Sequence, residues 1–424
     1  MTPKVLLADT IRNGCSTRLA LAFSKAGIEV SAVIPQRGHP LLKAQFLWQI
    51  FPYSGFRPLE SLVAAIEATQ PQIIVPCDEI GVQHLHELYT HARTLGKSGS
   101  EMVALIMRSL GPPESYPIVS SRYGLLKIAR EEGLRVPQTD VITTVDDIKS
   151  WGDGRKLPWV LKADGTWGGR GVRIARTPKE AERFFLQLNR PVRTAHAVRR
   201  LVVNRDPFVL RSWWSRSKPA IIVQSHIQGR PSNCAVVCQE GELLAGVAVE
   251  VVSAQALTGP ATVVRVVDSP EMMVCAERIA RRLKLSGFFG LDFMIEEGSG
   301  VTYLVEMNPR GTPLCHLQLG KGRDMVDALW AHLSRQPLRE PPPVTQKNMI
   351  AYFPQAWQHE SDLLKSSFQD IPLDEPDLVR ELLHPWPDRT LLVRANNKLR
   401  EMWLHLRSAK ARLSKSFESR RSSH

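Results

Sequence analysis

Cysteine is scarce in this chain: six in 424 residues, and they are scattered. Cys234 and Cys238 are the closest pair, and no second pair follows at ligand spacing, which speaks against a zinc site. No apolar run reaches membrane-spanning length. The first residues enter an apolar strand at once, without the apolar core of a secretory leader, so a reducing cytoplasm is the expected location. The turn after that strand, Asp9–Gly14, lacks Gly-x-Gly-x-x-Gly, which speaks against a dinucleotide site there. Gly96-Lys97-Ser98 has the ending of a phosphate loop, but position 91 is His and no buried strand precedes it. No Ser-His-Asp or Cys-His constellation stands out. Acid is in deficit as well: 42 Asp and Glu face 55 Lys and Arg, a formal charge of +13. Anionic partners follow from that balance, whether nucleotide, membrane surface or nucleic acid.

The length suggests roughly two to four domains with large cores. Residues 1–112 read as an open α/β domain. Apolar strands at Lys4–Ala8, Ile28–Ile34 and Gln72–Pro76 alternate with helical spacing at Ser16–Ala26 and Leu59–Thr69, which implies a parallel sheet. Cys77-Asp78-Glu79 follows a strand end, where ligands of such sheets bind; acids capping a helix fit equally well. His84 and His86, two apart, read as surface histidines. A Pro-rich break at Gly111–Pro117 leads to a helix over Ser120–Gly133, with Ser120 or Ser121 as its cap. Residues 189–218 interleave Arg and Lys with Trp213 and Trp214; a solvated insertion is the preferred reading over nucleic-acid or lipid contact. After a linker at Pro341–Pro343, residues 344–424 carry no chemical motif. Their last part, 391–424, sets nine Lys and Arg against Glu401 and Glu418.

Two stretches carry chemistry. Gly287–Arg310 has two apolar runs around a Gly- and Glu-rich turn, the pattern of a β-hairpin. Alternation sets Glu306, Asn308 and Arg310 on one face, with Val305 and Met307 on the other. Pairing of the runs can bring Asp292 to Glu306 and Asn308. Two carboxylates and an amide oxygen suit Mg²⁺, which takes few protein ligands and leaves the rest to water and phosphate. Arg310 can clamp phosphate or carboxylate oxygens. A solvated strand face with a Glu306–Arg310 ion pair is the alternative. Leu157–Val172 ends an apolar strand in Lys162, and Gly165, Gly168, Gly169 and Gly171 follow. Such a loop brings backbone N–H groups close to a phosphate chain, or is simply a mobile hairpin tip.

Together LKADGTWGGRGV and LVEMNPR resemble the ATP-grasp superfamily, in its biotin-carboxylase-like and carbamoyl-phosphate-synthase-like form, over about 120–333 and more loosely back to the N-terminus. The resemblance implies an open parallel α/β pre-ATP-grasp domain at 1–112 that helps bind the acceptor. An α+β ATP-grasp domain follows at 113–335, with a lid over about 157–227, and then an extension at 344–424. It implies ATP held by Arg122, Lys162, the four loop glycines, Gln224 in place of a usual Glu, and the hinge Ser225, His226 and Ile227. The usual ribose acid is missing, since 230–233 reads Arg-Pro-Ser-Asn. It implies Mg²⁺, or Mn²⁺, on Asp292, Glu306 and Asn308, with Arg310 catalytic. The activity implied is an ADP-forming carboxylate–amine ligase working through an acyl phosphate on small-molecule substrates. A bicarbonate-using carboxylase or carbamoyl-phosphate-type enzyme is one alternative. A non-catalytic ATP-binding scaffold on membrane or nucleic acid is the other. The tail packs on the core, lies on an anionic membrane as a peripheral contact, or, ranked last, binds nucleic acid; an oligomer is compatible with all of this.

Overall fold

The computed structural model describes residues 2–384 except 13, 37, 167, 168, 170, 191–217, 257 and 359–361. The described residues before His384 fall in one compact unit. The basic segment at 189–218 therefore lies almost wholly outside the described residues, as does the tail at 391–424.

Near-continuous apolar runs build the first sheet. β1 (Lys4–Ala8), β2 (Glu29–Pro35), β3 (Gln49–Tyr53) and β4 (Ile73–Pro76) pair in parallel in the order β3-β2-β1-β4. Parallel pairing needs crossovers, supplied here by α1 (Gly14–Lys25) and α2 (Pro58–Thr69). α3 (Glu79–Thr94) and α4 (Ser100–Leu110) follow β4. The chain runs from β1 to β2 and β3 on one side and returns to β4 on the other. The crevice beyond the carboxyl ends of β1 and β4 is thus a topological switch point, where ligands of open sheets bind.

α3 corrects one expectation. His84 is buried, not a surface residue, because it falls in the apolar stripe with Gly81, Leu85, Leu88 and Ala92. Its Nε2 lies 3.0 Å from Tyr53 Oη. His86 is half-buried and stacks on Tyr116 with ring centroids 3.9 Å apart.

After α5 (Arg122–Glu131), capped by Ser121, comes a small antiparallel sheet. It comprises β5 (Thr139–Ile142), β6 (Trp159–Ala163), β7 (Val172–Ala175) and β8 (Ile221–Ser225), in the order β5-β8-β6-β7. α6 (Val145–Gly152) and α7 (Pro178–Leu188) bury one face, with Trp159, Leu161, Ala163, Ile221 and Val223 beneath them. By alternation Val160, Lys162, Ile222, Gln224 and Thr139 lie on the other face.

The third sheet has seven strands in the order β13-β12-β9-β10-β11-β14-β15. β9 (Gly229–Gln239), β10 (Glu242–Ala254) and β11 (Ala261–Val267) form its middle, and β12 (Gly287–Glu296) with β13 (Thr302–Asn308) is the expected hairpin. α8 (Pro270–Leu283) packs on one side through Met272, Cys275 and Ile279. On the other side α9 (Met325–Ser334) and the first sheet share a core with Ala235, Val237 and Val247. Arg265 of β11 makes an ion pair with Glu250 of β10 at 3.6 Å, inside the sheet and not at its edge. Cys234 and Cys238 are buried in β9, and burial pushes both thiols up.

Residues beyond the linker join this sheet. β14 (Met349–Tyr352) pairs with β11, and β15 (Phe368–Asp370) pairs with β14 in parallel. α10 (Pro376–Leu383) accepts a 2.6 Å bond from Arg12 at the Glu381 carbonyl. Asp370 is ion-paired with Arg18 of α1 and with His316 Nε2, the latter at 2.7 Å. Burial alone would raise its pKa, but His316 and Arg18 outweigh that and hold it at about 2. The architecture is the expected one: an open parallel α/β sheet followed by antiparallel α+β sheets.

Candidate active site

The β12–β13 hairpin sets Asp292 directly opposite Glu306, and Asn308 Nδ2 donates to Asp292 Oδ2 at 3.1 Å. The ladder is irregular just here. Phe293 faces Leu304 while Asp292 faces Glu306, which leaves Val305 as an extra residue. This corrects the simple alternation of the sequence: Leu304 and Met307 share the buried core, and Val305 does not join them. The bulge also frees the Val305 carbonyl, which accepts from Lys162 Nζ at 3.3 Å. Lys162 is buried on the face of the small sheet turned away from α6 and α7, and that face looks at the acidic hairpin.

Electrostatics follow from this crowding. Burial, then the neighbouring Glu306, raises the Asp292 carboxyl to about 6, against opposition from Asn308 and Lys162. Lys162 is lowered by burial, partly offset by Glu306. A close carboxylate pair whose Asp292 member is held back from ionising is a set that a hard dication would relieve. Among the described residues no group of three or more His, Cys, Asp or Glu is placed to hold a metal. Asp292, Glu306 and Asn308 therefore fit Mg²⁺ only with further oxygens from water or phosphate, which is how that ion is usually held.

Arg122, the first residue of α5, ties the two sides together. Its Nη2 donates to Glu306 Oε1 and to the Thr166 carbonyl, each at 2.8 Å, and Nη1 donates to the Ala163 carbonyl. Asp164 lies 3.6 Å from Nη1. The loop from Asp164 to Gly171 connects β6 and β7. Gly165 and Gly169 take φ of +69° and +74°, where a side chain is strained. A Cβ on Gly169 would meet the Thr258 carbonyl oxygen at 1.9 Å. Gly171 is equally tight against Thr166, while Gly168 lies outside the described residues.

Gln224 shares the Lys162 face and is buried, with Nε2 donating to Thr139 Oγ1 at 3.1 Å. The Ser225 and His226 N–H groups bond the Gln138 and Pro158 carbonyls, and Ile227 lies in the link to β9. Arg310 stands just past β13. It pairs not with Glu306 but with Glu79, Nε to Oε1 at 2.8 Å, which joins the hairpin to the switch-point crevice of the first sheet. Glu79 raises the Arg310 pKa although burial opposes it.

The crevice holds Asp78, for which the helix-capping reading is the one found, and also Asp9 and His39, which sequence reasoning did not assign. Asp78 caps α3, taking Gly81 N at 2.8 Å and Thr10 N at 2.6 Å. Asp9 lies beside it, and His39 Nε2 is 3.1 Å from Asp9 Oδ2. The Leu41 N–H donates to His39 Nδ1, so Nε2 carries the proton, and burial keeps the ring neutral at about 3. Burial raises both Asp9 and Asp78 to about 7, and the two are hydrogen-bonded to each other. The signal available was positional: two acids at the ends of β1 and β4. Because both bind a proton more tightly when folded, the stability they confer is full below about 3.9, the ordinary Asp value. It is lost as pH rises through about 7. Thermal midpoints of the wild type should therefore fall over that range, and Asp9→Asn should flatten the fall. An Asp9→Asn chain with an unchanged slope would rule out the shared proton.

Comparison with known proteins bears on this arrangement. Residues 119–313 match the family model of the ATP-grasp domain. The matched stretch takes in the small sheet and the β9–β13 part of the large sheet, and the open parallel α/β sheet precedes it. No curated protein matches the chain significantly. Among solved structures, the biotin carboxylase domain dimer of Hydrogenobacter thermophilus 2-oxoglutarate carboxylase, complexed with MgADP, ADP and bicarbonate, has a TM-score of 0.57 at 17% identity, covering 81% of this chain and 72% of that one. An ADP complex of N5-carboxyaminoimidazole ribonucleotide synthetase gives 0.54 at 14%, covering 81% and 80%. Phosphoribosylamine–glycine ligase of Thermotoga maritima gives 0.53 at 17%, covering 80% and 78%. At these identities the likeness is one of fold.

Proposed function

We propose that this protein is an ATP-dependent carboxylate–amine ligase that forms ADP and phosphate through an acyl phosphate. The observation that carries the reading is the acidic hairpin, Asp292, Glu306 and Asn308, facing Lys162 and Arg122 across one cleft. A substrate carboxylate oxygen would attack the γ-phosphorus of ATP, breaking its bond to the β-phosphate oxygen. The amine nitrogen would then attack the acyl carbon, and the carbon–oxygen bond to phosphate would break as the amine loses its proton to solvent.

Lys162 and Arg122 would hold the phosphates. Arg122 Nε has no partner among the described residues, and its bonds to two loop carbonyls keep it beside the glycine loop. Gln224 and the 225–227 hinge would take the base. Asp292, Glu306 and Asn308 would hold Mg²⁺, which when bound supplies charge neutralisation to the phosphates. Arg310, fixed by Glu79 at the acceptor side, would stabilise the tetrahedral oxyanion. Domain limits of 1–112, 113–335 and 344–424 belong to this proposal.

The second reading keeps the chemistry and makes bicarbonate the carboxylate, as the bicarbonate bound in the 2-oxoglutarate carboxylase domain suggests. That domain is a dimer, and self-association of this chain is part of the proposal. ADP release should be screened over amino acids, small acids and bicarbonate with Mg²⁺, with product masses measured. One carboxylate should stimulate release several-fold, and an amine should convert it to an amide mass. Nucleotide binding with no release for any acid would favour the scaffold reading instead. Among the described residues no helix is long and apolar enough to cross a membrane. A peripheral contact through residues 391–424 is proposed from their charge. Low-salt pelleting with anionic but not neutral vesicles, lost on deleting 391–424, is the expected result; a protein that stays in the supernatant refutes it.

A further inference from the structure

Gln224 raises a question that a Glu would not. A carboxylate presents an acceptor from either oxygen, whereas an amide presents a donor at one end and an acceptor at the other. The two ends look alike to the fold unless a neighbour distinguishes them. Thr139 is that neighbour. It pairs with Gln224 across β5 and β8, and both lie on the face that carries Lys162. The Thr139 hydroxyl donates to the Pro137 carbonyl at 2.9 Å, and a carbonyl can only accept. Its proton is thereby committed, so towards Gln224 the hydroxyl oxygen can only accept. The amide must then turn its NH₂ to Thr139, as found at 3.1 Å, and its Oε1 away from it. Among the described residues no donor bonds to that Oε1.

We infer that Thr139 is a positioning residue that fixes the Gln224 amide so that its oxygen selects a purine with a 6-amino donor over one with a 6-oxo group. The inference rests on the nucleotide site proposed above and names how that site tells its bases apart. An adenine amino group meets Oε1 donor to acceptor. A 6-oxo purine sets two acceptors against each other in a site shielded from water, where an unsatisfied pair is costly. Flipping the amide to receive the 6-oxo group would bring Oε1 against the Thr139 oxygen and lose the same bond. The chain Pro137–Thr139–Gln224 therefore makes an ambiguous amide behave as a one-sided acceptor.

The test is the ratio of dissociation constants for ATP and inosine triphosphate, which differ at the 6-position and in the N1 proton that accompanies the 6-oxo group. The purified full-length chain should prefer ATP by about 10-fold or more, the ratio that corresponds to 1.4 kcal/mol. Thr139→Val keeps the side-chain shape, frees the amide to turn, and should cut the wild-type ratio by about 3-fold or more. Thr139→Ser keeps the hydroxyl and should keep the preference. Gln224→Glu should keep it too, and adding Thr139→Val to Gln224→Glu should leave the ratio where the single change put it. Thermal midpoints of each variant check that the fold is retained. If the wild type binds ATP and Thr139→Val leaves its ratio unchanged, this inference fails while the nucleotide reading stands. If the wild type binds neither triphosphate, the nucleotide reading fails and takes this inference with it.

Discussion

Glu306→Gln should reduce turnover by at least about 10²–10³-fold, on the scale of removing one preorganised electrostatic contact from an active site. The glutamine keeps the shape and loses the charge. Glu306 faces Asp292 across the hairpin and accepts from Arg122, so its carboxylate is shared between the proposed metal position and the proposed phosphate clamp. Folding should survive. The Glu306 side chain is about a quarter exposed, at 26%, and Arg122 keeps its bonds to Ala163 and Thr166. The change should also relieve the like charge that helps raise Asp292. ADP release measured across a Mg²⁺ titration, beside a thermal melt, reads both effects. Release near the wild-type level at saturating Mg²⁺ would show that Glu306 is not a metal ligand.

Gly169→Val should weaken nucleotide binding by more than about 10-fold, with little change in the thermal midpoint of the core. Two obstacles act together. The residue sits at φ +74°, and its new Cβ would press on the Thr258 carbonyl at 1.9 Å. The loop tip must then move away from the 255–260 turn, and a β-branched side chain leaves it few ways to do so. Gly165→Ala is the control. It is also at positive φ but has open space around its Cβ, so only strain of roughly 1–2 kcal/mol applies. Isothermal titration with ATP separates the two variants. Equal affinities for wild type and Gly169→Val would mean that the loop is a hairpin tip that never closes on phosphate.

Local patterns were legible where the physics is local. The apolar run Lys4–Ala8, the helical spacing at Leu59–Thr69, and the hairpin around 297–301 were readable because period and punctuation lie within a few residues. What escaped depends on partners far away in sequence. The Val305 bulge exists only through its pairing with β12, so strict alternation put Val305 on the wrong footing. Thr139–Ile142 is too short and polar to announce a strand, yet it completes the small sheet beside β8. Residues 344–383 offered no motif because their contribution is an edge: β14 and β15 extend a sheet begun more than a hundred residues earlier. Glu79 was read as a cap or a ligand site, and only the fold brings Arg310 to it. The basic segment and tail carry most of the excess charge, and charge alone does not specify structure.

The ion pair of Arg18 with Asp370 joins residues 352 positions apart, and it has a consequence for how the chain is made. At roughly 5–20 residues per second, about 20–70 s of synthesis separate the two side chains. For most of that interval, once Pro76 has been made, all strands of the first sheet are present, but the Arg18 face of α1 has no acid to meet. The outer edge of β11, which β14 later covers, stands open on the ribosome. The nascent chain thus passes through a long stage in which a finished N-terminal sheet is tethered to an unfinished one. A gene cut at the proline linker would halt the protein at that stage, with an unpaired edge and an unanswered cation where the native molecule has neither.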